Sequence, residues 1–227
     1  MRLMAKRKTL LVNDEIYHVY NRSAARQPVL TGSGNLNRFI NLVNFYRFKS
    51  PGLRYSHYTR LALDLKKSFL DKLSKSGQPL VEIYVFALMP NHYHFLMKQL
   101  LDEGIKIFAS HIQNSYARYY NTKYDRVGSI WQEMFKAERI ETDEQFIHLA
   151  RYIHLNPLTS FIIKYPVDLE DYRWTSYSAY SGKYITHFLK LNNLREFFSN
   201  TEEFKQFTFD NLDYQRTLDH IKHLTSE

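Results

Sequence analysis

The segment VEIYVFALMPNHYHFLMKQ, residues 81–99, predicts a β-hairpin. Its first half, residues 81–89, is rich in Val, Ile, Tyr and Phe, which favour strands. The tripeptide MPN at 89–91 predicts a turn, because proline cannot continue a central strand ladder. Residues 92–98 are then expected to form the returning strand, which carries two histidines.

The segments on both sides of this hairpin complete a regular order of elements. We expect strands at 15–22 and 134–141, helices at 35–48, around 61–73, at 104–122 and from Thr142 or Asp143 to about 155, and a TGSG loop at 31–34. Pro157 is expected to end the last helix. The order β-α-(α)-β-β-α-β-α predicts an α+β fold, the ferredoxin-like (RRM-like) plait, with an antiparallel sheet and helices on one face. We expect this domain to span residues 1–180 and residues 181–227 to form a helical appendage.

The composition indicates a class of partner and excludes some chemistry. The formal net charge is +8, which favours a polyanionic partner, most commonly nucleic acid, although a basic surface also serves solubility. The chain has 18 Tyr and 16 Phe, and those not in the core are suited to stacking on unpaired bases. There is no cysteine, so disulfides, thiolate catalysis and Cys-rich zinc sites are excluded.

The apolar segments are short throughout. The N-terminal stretch MRLMAKRKTLLV is basic, but its apolar part is too short for a secretory signal. No apolar run reaches the length of a membrane span. We therefore expect a cytoplasmic protein without a membrane partner.

His92 and His94 lie one residue apart on the predicted third strand, so their side chains share a face. The two imidazoles could hold one metal ion from one side. They could also be two partly exposed histidines at the end of a sheet that pair with neighbouring groups, because each ring has two nitrogens to satisfy.

A polar stripe follows on the last predicted helix. His148, Tyr152 and Asn156 have the spacing i, i+4 and i+8, which places them on one side of the helix beside its apolar positions. If this stripe packs over the face that carries His92 and His94, Asn156 could give a third metal ligand and Tyr152 would point at the group that the metal polarises. A solvent-exposed polar face is the other interpretation.

Taken in order, three motifs carry a resemblance to a known family. The chain resembles the HUH-type single-tyrosine transposases, especially the REP-associated tyrosine transposases, in the segments MPNHYHFLM, RYIHLNPL on a helix, and DYRWTSY. YHVYNRS and GSIWQEMFK also match usual stretches of that family, so the resemblance covers roughly residues 15–180. It implies that His92 and His94 are the metal pair, that Tyr152 is the nucleophile and that Asn156 is the third ligand.

The resemblance also implies an activity. It is a metal-dependent transposase or strand-transferase that cleaves and rejoins single-stranded, hairpin-containing DNA through a 5′-phosphotyrosine intermediate, with Mg²⁺ or Mn²⁺ as cofactor. The two imidazoles by themselves favour manganese, because magnesium prefers oxygen ligands. His148 is a candidate accessory base, and a structural pairing of its ring is equally open. Family members act as monomers or as dimers, so a homodimer is open as well.

Two positions depart from the family pattern. Tyr93 stands between the histidines where a smaller aliphatic residue is common, and Met134 stands where an arginine usually precedes Phe135 and Lys136. The second departure concerns a phosphate contact and leaves the central chemistry intact.

Basic and aromatic side chains supply the expected DNA contacts. The candidates are Arg22, Arg118, Arg126, Lys136, Arg139 and Arg151 for phosphates, Trp131 for stacking on a base, and the N-terminal cations Arg2, Lys6, Arg7 and Lys8. A core position is the alternative for Trp131.

Three alternatives stay open from the residues alone. The chain could be a non-catalytic nucleic-acid-binding module on the same fold, or a metal-dependent hydrolase in which water is the nucleophile. Tyr116, Tyr119 and Tyr120, from the NSYARYYN segment, could also compete with Tyr152 as the nucleophile.

Overall fold

The structure is a computed structural model that describes residues 9–210 and residue 212 of the chain. Outside the described residues lie the N-terminal cations Arg2, Lys6, Arg7 and Lys8. The same holds for residues 211 and 213–227 of the predicted appendage.

The order of elements along the described residues follows the predicted order. The strands are β1 (Ile16–Arg22), β2 (Val81–Met89), β3 (His92–Gln99) and β4 (Lys136–Ile140), and the helices are α1 (Gly32–Tyr46), α2 (Tyr55–Tyr58), α3 (Leu63–Ser76), α4 (Gly104–Lys123), α5 (Asp143–Thr159), α6 (Tyr177–Tyr180), α7 (Asn192–Arg195) and α8 (Thr201–Phe209). Across this part of the chain no helix is both long enough and apolar enough to pass through a bilayer.

The four strands form one sheet in the order β2-β3-β1-β4, and every neighbouring pair is antiparallel. β2 and β3 are the predicted hairpin, and Pro90 and Asn91 form the connection between them. The order and directions are those of the ferredoxin-like plait, so the predicted fold class is confirmed.

Alternate residues of the central strands face opposite sides of the sheet. One side, which we call the core face, is covered by α1 and α4 and includes Tyr93, Phe95 and Met97 of β3. The other side, the α5 face, packs against α5 and includes Leu96 of β3. The expectation of helices on one face therefore holds for α1 and α4, whereas α5 covers the opposite face.

A β-bulge in β2 adapts the hairpin to both layers. The register of β2 against β3 shifts between Ile83 and Val85. As a result Tyr84 and Val85, although consecutive, both belong to the apolar cluster under α5, and Ile83 and Phe86 belong to the core face. The bulge gives α5 two adjacent apolar contacts on the same strand.

The ends of two helices differ from the sequence expectation. Thr142 caps α5 by accepting a hydrogen bond from the Gln145 amide, as predicted, but the helix continues through Pro157 to Thr159. Proline removes only one donor from the helix, and the next turn still closes through the Ser160 amide and the Asn156 carbonyl oxygen, 3.0 Å apart. The TGSG segment, predicted as a loop, instead caps and begins α1, with Thr31 as the N-cap.

The described part of the predicted appendage packs closely on the plait. The Lys190 amide donates to the Ile83 carbonyl oxygen at 2.9 Å. Leu194 and Phe204 are buried in the cluster under α5. These contacts hold the C-terminal segment against the helix that carries Tyr152.

Candidate active site

The α5 face of the sheet is lined by polar side chains around a cavity of about 530 Å³. Three adjacent strands and one helix form it, because alternate residues of neighbouring strands project to the same side. The lining residues are His18, Tyr20, Asn21 and Arg22 of β1, His92 and His94 of β3, Gln132, Lys136 and Glu138 on or before β4, and Leu149 and Tyr152 of α5.

Two buried histidines are in direct contact at the centre of this cavity. His18 Nε2 and His94 Nδ1 are 2.8 Å apart, and both residues are at most 7% exposed. Burial lowers the pKa of His18 to about 4, and burial together with the nearby His92, His18 and Arg22 lowers the pKa of His94 well below its usual value. Both rings are therefore neutral at pH 7, the form in which imidazole binds metals.

The ring of His92 is oriented by its neighbour in the chain. His92 Nδ1 is 2.6 Å from Asn91 Oδ1. Because an amide oxygen only accepts hydrogen bonds, this His92 Nδ1 carries the proton and Nε2 carries the lone pair. His92 and His94 lie on the same face, as the strand alternation predicts, with ring centroids 4.9 Å apart.

Tyr152 reaches this pair from α5. Its ring is half-buried, lines the cavity, and lies 6.0 Å from the His94 ring, centroid to centroid. The polar stripe of α5 thus packs over the histidine face at Tyr152.

The competing tyrosines of α4 lie on the other side of the sheet. The Tyr116 hydroxyl donates to the Val29 carbonyl oxygen at 2.6 Å, and the Tyr119 hydroxyl donates to Asn35 Oδ1 at 3.1 Å. Tyr120 packs against Tyr116 and Tyr124. Of the tyrosines that the sequence singles out, only Tyr152 shares a cavity with His92 and His94.

The other two residues of the α5 stripe are outside the cavity lining. Asn156 is buried, and its Nδ2 donates to the Tyr152 carbonyl oxygen at 3.1 Å. The His148 Nδ1 is 2.6 Å from Arg151 Nη2. Their roles as third ligand and accessory base stay predictions.

Sequence reasoning missed three titratable residues of the cavity, all on β1 and β4. His18 contacts His94, and the Tyr20 hydroxyl donates to Glu138 Oε1 at 2.7 Å. Burial, the hydrogen bond to Glu138 and the nearness of Tyr152 raise the pKa of Tyr20, which keeps it a phenol. The alternation of β1 was the available signal, but it becomes informative only with the register that places Tyr20 opposite His94.

The donors present constrain how a metal could bind. Within residues 9–210 and 212, no group of three or more His, Asp or Glu side chains has a metal-binding arrangement. His92 and His94 on one face fit an incomplete ligand set, since phosphate, amide or water oxygens can supply the remaining ligands. The residues present therefore fit a divalent ion held jointly by the protein and a substrate.

The predicted DNA contacts are divided between the two faces. Arg22 and Lys136 line the cavity beside Tyr152. Arg118 lies on α4, on the core-face side, and the Arg126 guanidinium lies 5.7 Å from the ring of Tyr120 on the same helix. Arg139 is held by Glu15, with Nη2 and Oε1 2.6 Å apart.

Arg151 and Trp131 are corrected as DNA contacts, because both are buried. Arg151 is 7% exposed, donates from Nη1 to the Phe207 carbonyl oxygen at 3.2 Å, and lies over the Phe207 ring. Trp131 is 5% exposed and its Nε1 donates to the Gln113 carbonyl oxygen at 3.2 Å. Arg151 joins α5 to α8, and Trp131 belongs to the core.

A family model matches the segment that contains the candidate site residues. Residues 54–156 match the family model of the IS200-like transposases, and this range contains His92, His94, Tyr152 and Asn156. No curated protein sequence matches the chain significantly.

Two solved structures resemble the chain at 14% identity. One is a REP-associated tyrosine transposase bound to a REP hairpin, with 80% of this chain and 89% of that chain covered at a TM-score of 0.49. The other is a candidate transposase from Deinococcus radiodurans R1, with 65% and 95% covered at a TM-score of 0.35. The fold assignment rests on the sheet topology, and the sequence similarity to the IS200-like transposases is confined to residues 54–156, which carry the histidine pair and Tyr152.

Proposed function

We propose that the chain is a metal-dependent, single-stranded DNA transposase that cleaves and rejoins hairpin-containing DNA through a 5′-phosphotyrosine intermediate on Tyr152. The observation that carries this proposal is the shared cavity of Tyr152, His92 and His94, with Arg22 and Lys136 in its lining. A nucleophile, two imidazoles and two cations around one open cavity suit attack on a phosphodiester.

Tyr152 is the nucleophile in this mechanism. Its phenolic oxygen attacks the scissile phosphorus, the new O–P bond forms, and the bond to the 3′ oxygen of the preceding nucleotide breaks. The DNA 5′ end is then joined to Tyr152, and the departing 3′ oxygen takes a proton to become a hydroxyl. Reversal by another 3′ hydroxyl rejoins the strand, because the phosphotyrosine conserves the energy of the broken bond.

His92 and His94 are the side chains that would hold the metal ion, with Asn156 as the predicted third ligand. The hydrogen bond from His92 Nδ1 to Asn91 and the contact between His94 Nδ1 and His18 orient the two rings, so that Nε2 is the ligating nitrogen of each. When bound, the ion supplies Lewis-acid polarisation of the scissile phosphate.

The proton of Tyr152 has to leave as the new bond forms. The Tyr20–Glu138 pair places a carboxylate in the same cavity, and Glu138 can accept a proton. His148 stays a second candidate, but its Nδ1 accepts from Arg151, which removes that nitrogen as a base.

Arg22 and Lys136 would contact the phosphates on either side of the reacting one. Arg22 ends β1 and Lys136 begins the neighbouring strand β4. An unpaired strand fits this site better than a duplex, because the reacting phosphate must reach the surface of the sheet beneath α5. The hairpin form of the substrate is what the family resemblance implies.

The test is covalent capture of the DNA. The full chain is incubated with 3′-labelled single-stranded hairpin DNA and Mn²⁺ or Mg²⁺, and the products are separated on a denaturing gel. We expect a slow band that Tyr152→Phe abolishes and that Tyr120→Phe, the matched control on the other side of the sheet, retains.

Two other outcomes support the alternatives. Binding without cleavage in the unmodified chain would indicate a nucleic-acid-binding module without chemistry. Cleavage that survives in Tyr152→Phe would indicate a hydrolase that uses water.

A further inference from the structure

A second cavity, of about 740 Å³, lies between α1, α4 and the segment at 51–56. It is on the core-face side, so the sheet separates it from Tyr152. Four cations line it, Arg38, Arg54, Arg118 and Lys123, and none of the residues in its lining is acidic. We call it the basic cavity.

Arg38 is held in the basic cavity by aromatic rings. Its guanidinium carbon is 4.5 Å from the centre of the Tyr55 ring and 4.8 Å from that of Tyr119. Arg38 Nε is buried and, among the described residues, has no hydrogen-bond partner. Burial raises the pKa of Tyr55 to about 12, so Tyr55 is a neutral phenol and does not offset the charge of Arg38.

The other cations are arranged along the cavity walls. Ser115, Arg118 and Thr122 of α4 follow helical spacing, so one side of that helix faces the cavity. Arg54 precedes α2 on the opposite wall, and Lys123 Nζ donates to Asn35 Oδ1 at 2.8 Å. In the part of the chain that the structure describes, none of the four cations forms an ion pair.

Some other surface cations of this protein form ion pairs. Lys205 pairs with Glu170, Lys183 pairs with Asp171, and Arg139 pairs with Glu15. The basic cavity, by contrast, brings four cations together in one concave site whose lining contains no carboxylate. Concentrated positive potential with guanidinium groups suits phosphate ligands, which guanidinium binds in a bidentate way.

We propose that the basic cavity is a second nucleic-acid site, which binds the phosphodiester backbone of the DNA outside the reaction centre. Four cations exceed what one phosphate needs and match a run of backbone phosphates. The inference rests on the proposed function only in taking DNA as the substrate. It implies that the DNA contacts both sides of the plait.

The experiment measures DNA binding without cleavage. All proteins carry Tyr152→Phe, and fluorescence anisotropy is recorded over a NaCl series with three labelled DNAs: a hairpin with a single-stranded tail, a blunt hairpin, and an unstructured single strand. Arg54→Gln and Arg118→Gln are compared with Lys67→Gln, which removes the same charge from an exposed patch of α3 that also contains Asp64 and Asp71. Both arginines are exposed, so neither variant should impair folding, and thermal melting checks this.

We expect each arginine variant to weaken binding by about threefold to tenfold and to reduce the slope of log affinity against log salt by about 0.7–0.9. Lys67→Gln should leave the slope unchanged. An effect on the blunt hairpin assigns the cavity to the duplex backbone, and an effect only on DNAs with unpaired nucleotides assigns it to the single strand. Equal effects of Lys67→Gln and the arginine variants, or none with any DNA, would overturn the inference. Because binding is read independently of the covalent adduct, failure of the proposed chemistry would not be mistaken for failure of this site.

Discussion

On β3, Tyr93, Phe95 and Met97 face α1 and α4, whereas His92 and His94 face α5. The two sets alternate along one strand of the sheet. The core-face side chains are apolar, apart from the Tyr93 hydroxyl, which accepts a hydrogen bond from Gln113. They stabilise the fold by burial. On the α5 face His94 is buried, and burial lowers its pKa, which keeps its ring neutral at pH 7.

A single hairpin therefore serves both core packing and the candidate site. Because side chains alternate along a strand with a period of two, one residue packs in the core and the next lines the site, without a separate loop. The site is consequently built on rigid strands, and its geometry depends on strand register more than on flexible segments.

His92→Ala gives the largest expected difference between the faces. It removes a ligand that supports several kcal/mol of transition-state stabilisation, so cleavage should fall by about 10³-fold or more. DNA binding should be largely kept, because distributed cations hold the phosphates. Covalent-adduct formation and anisotropy are measured on the same preparation.

Tyr93→Phe is the matched control for His92→Ala, since Tyr93 is adjacent in sequence but faces the core, where its hydroxyl accepts from Gln113 Nε2 at 2.6 Å. It should leave cleavage close to that of the unmodified chain. An equal loss of cleavage and binding in His92→Ala would contradict the separation of chemistry from affinity.

Phe95→Ala should show the opposite pattern. Phe95 is fully buried against Phe86, Tyr93 and Phe108, and its truncation should lower the free energy of unfolding by about 3–5 kcal/mol. Urea denaturation measures the loss. The folded fraction should retain adduct formation, and a selective loss of cleavage at unchanged stability would show that the two faces are not independent.

His18 provides a sharper test within the α5 face. His18→Ala leaves His94 Nδ1 without its 2.8 Å partner, so Mn²⁺ affinity should fall by about 10- to 100-fold. His18→Gln should recover part of it, because its amide oxygen can accept from Nδ1. Calorimetry of Mn²⁺ binding without DNA measures this directly, and unchanged affinity in His18→Ala would exclude an orienting role.

The smallest effects are expected from two cations near α5. Lys136→Gln removes an exposed cavity cation and should weaken DNA binding by about threefold with a shallower salt slope.

Arg151→Met should leave the salt slope unchanged and lower stability by about 1–2 kcal/mol, because Arg151 packs under Phe207. A salt slope that changes in Arg151→Met would restore Arg151 as a phosphate contact.

Much of the fold follows from local patterns. The hairpin, the alternation of β1, the cap at Thr142 and the stripe that carries Tyr152 were all predictable from residues close together in the chain. The face that α5 covers was not, because periodicity indicates that a helix has an apolar side but not which sheet surface it meets.

The same division holds for the site. Spacing predicted that His92 and His94 share a face that Tyr152 could meet, whereas the burial of Arg151 and the choice of a core position for Trp131 depend on the packing of distant elements. Arg151 is buried only because α8, more than 50 residues later, packs against α5.

The sequence by itself determined the order of elements and the hairpin, since helix and strand periods act over a few residues. It also determined that the Tyr152 phenol and the imidazoles of His92 and His94 are available for chemistry. Only the tertiary structure decided that His18 contacts His94, 76 residues away, and that Tyr20 contacts Glu138, 118 residues away. Those contacts depend on the register of β1 between β3 and β4, which forms when distant strands pair and has no signature in any one of them.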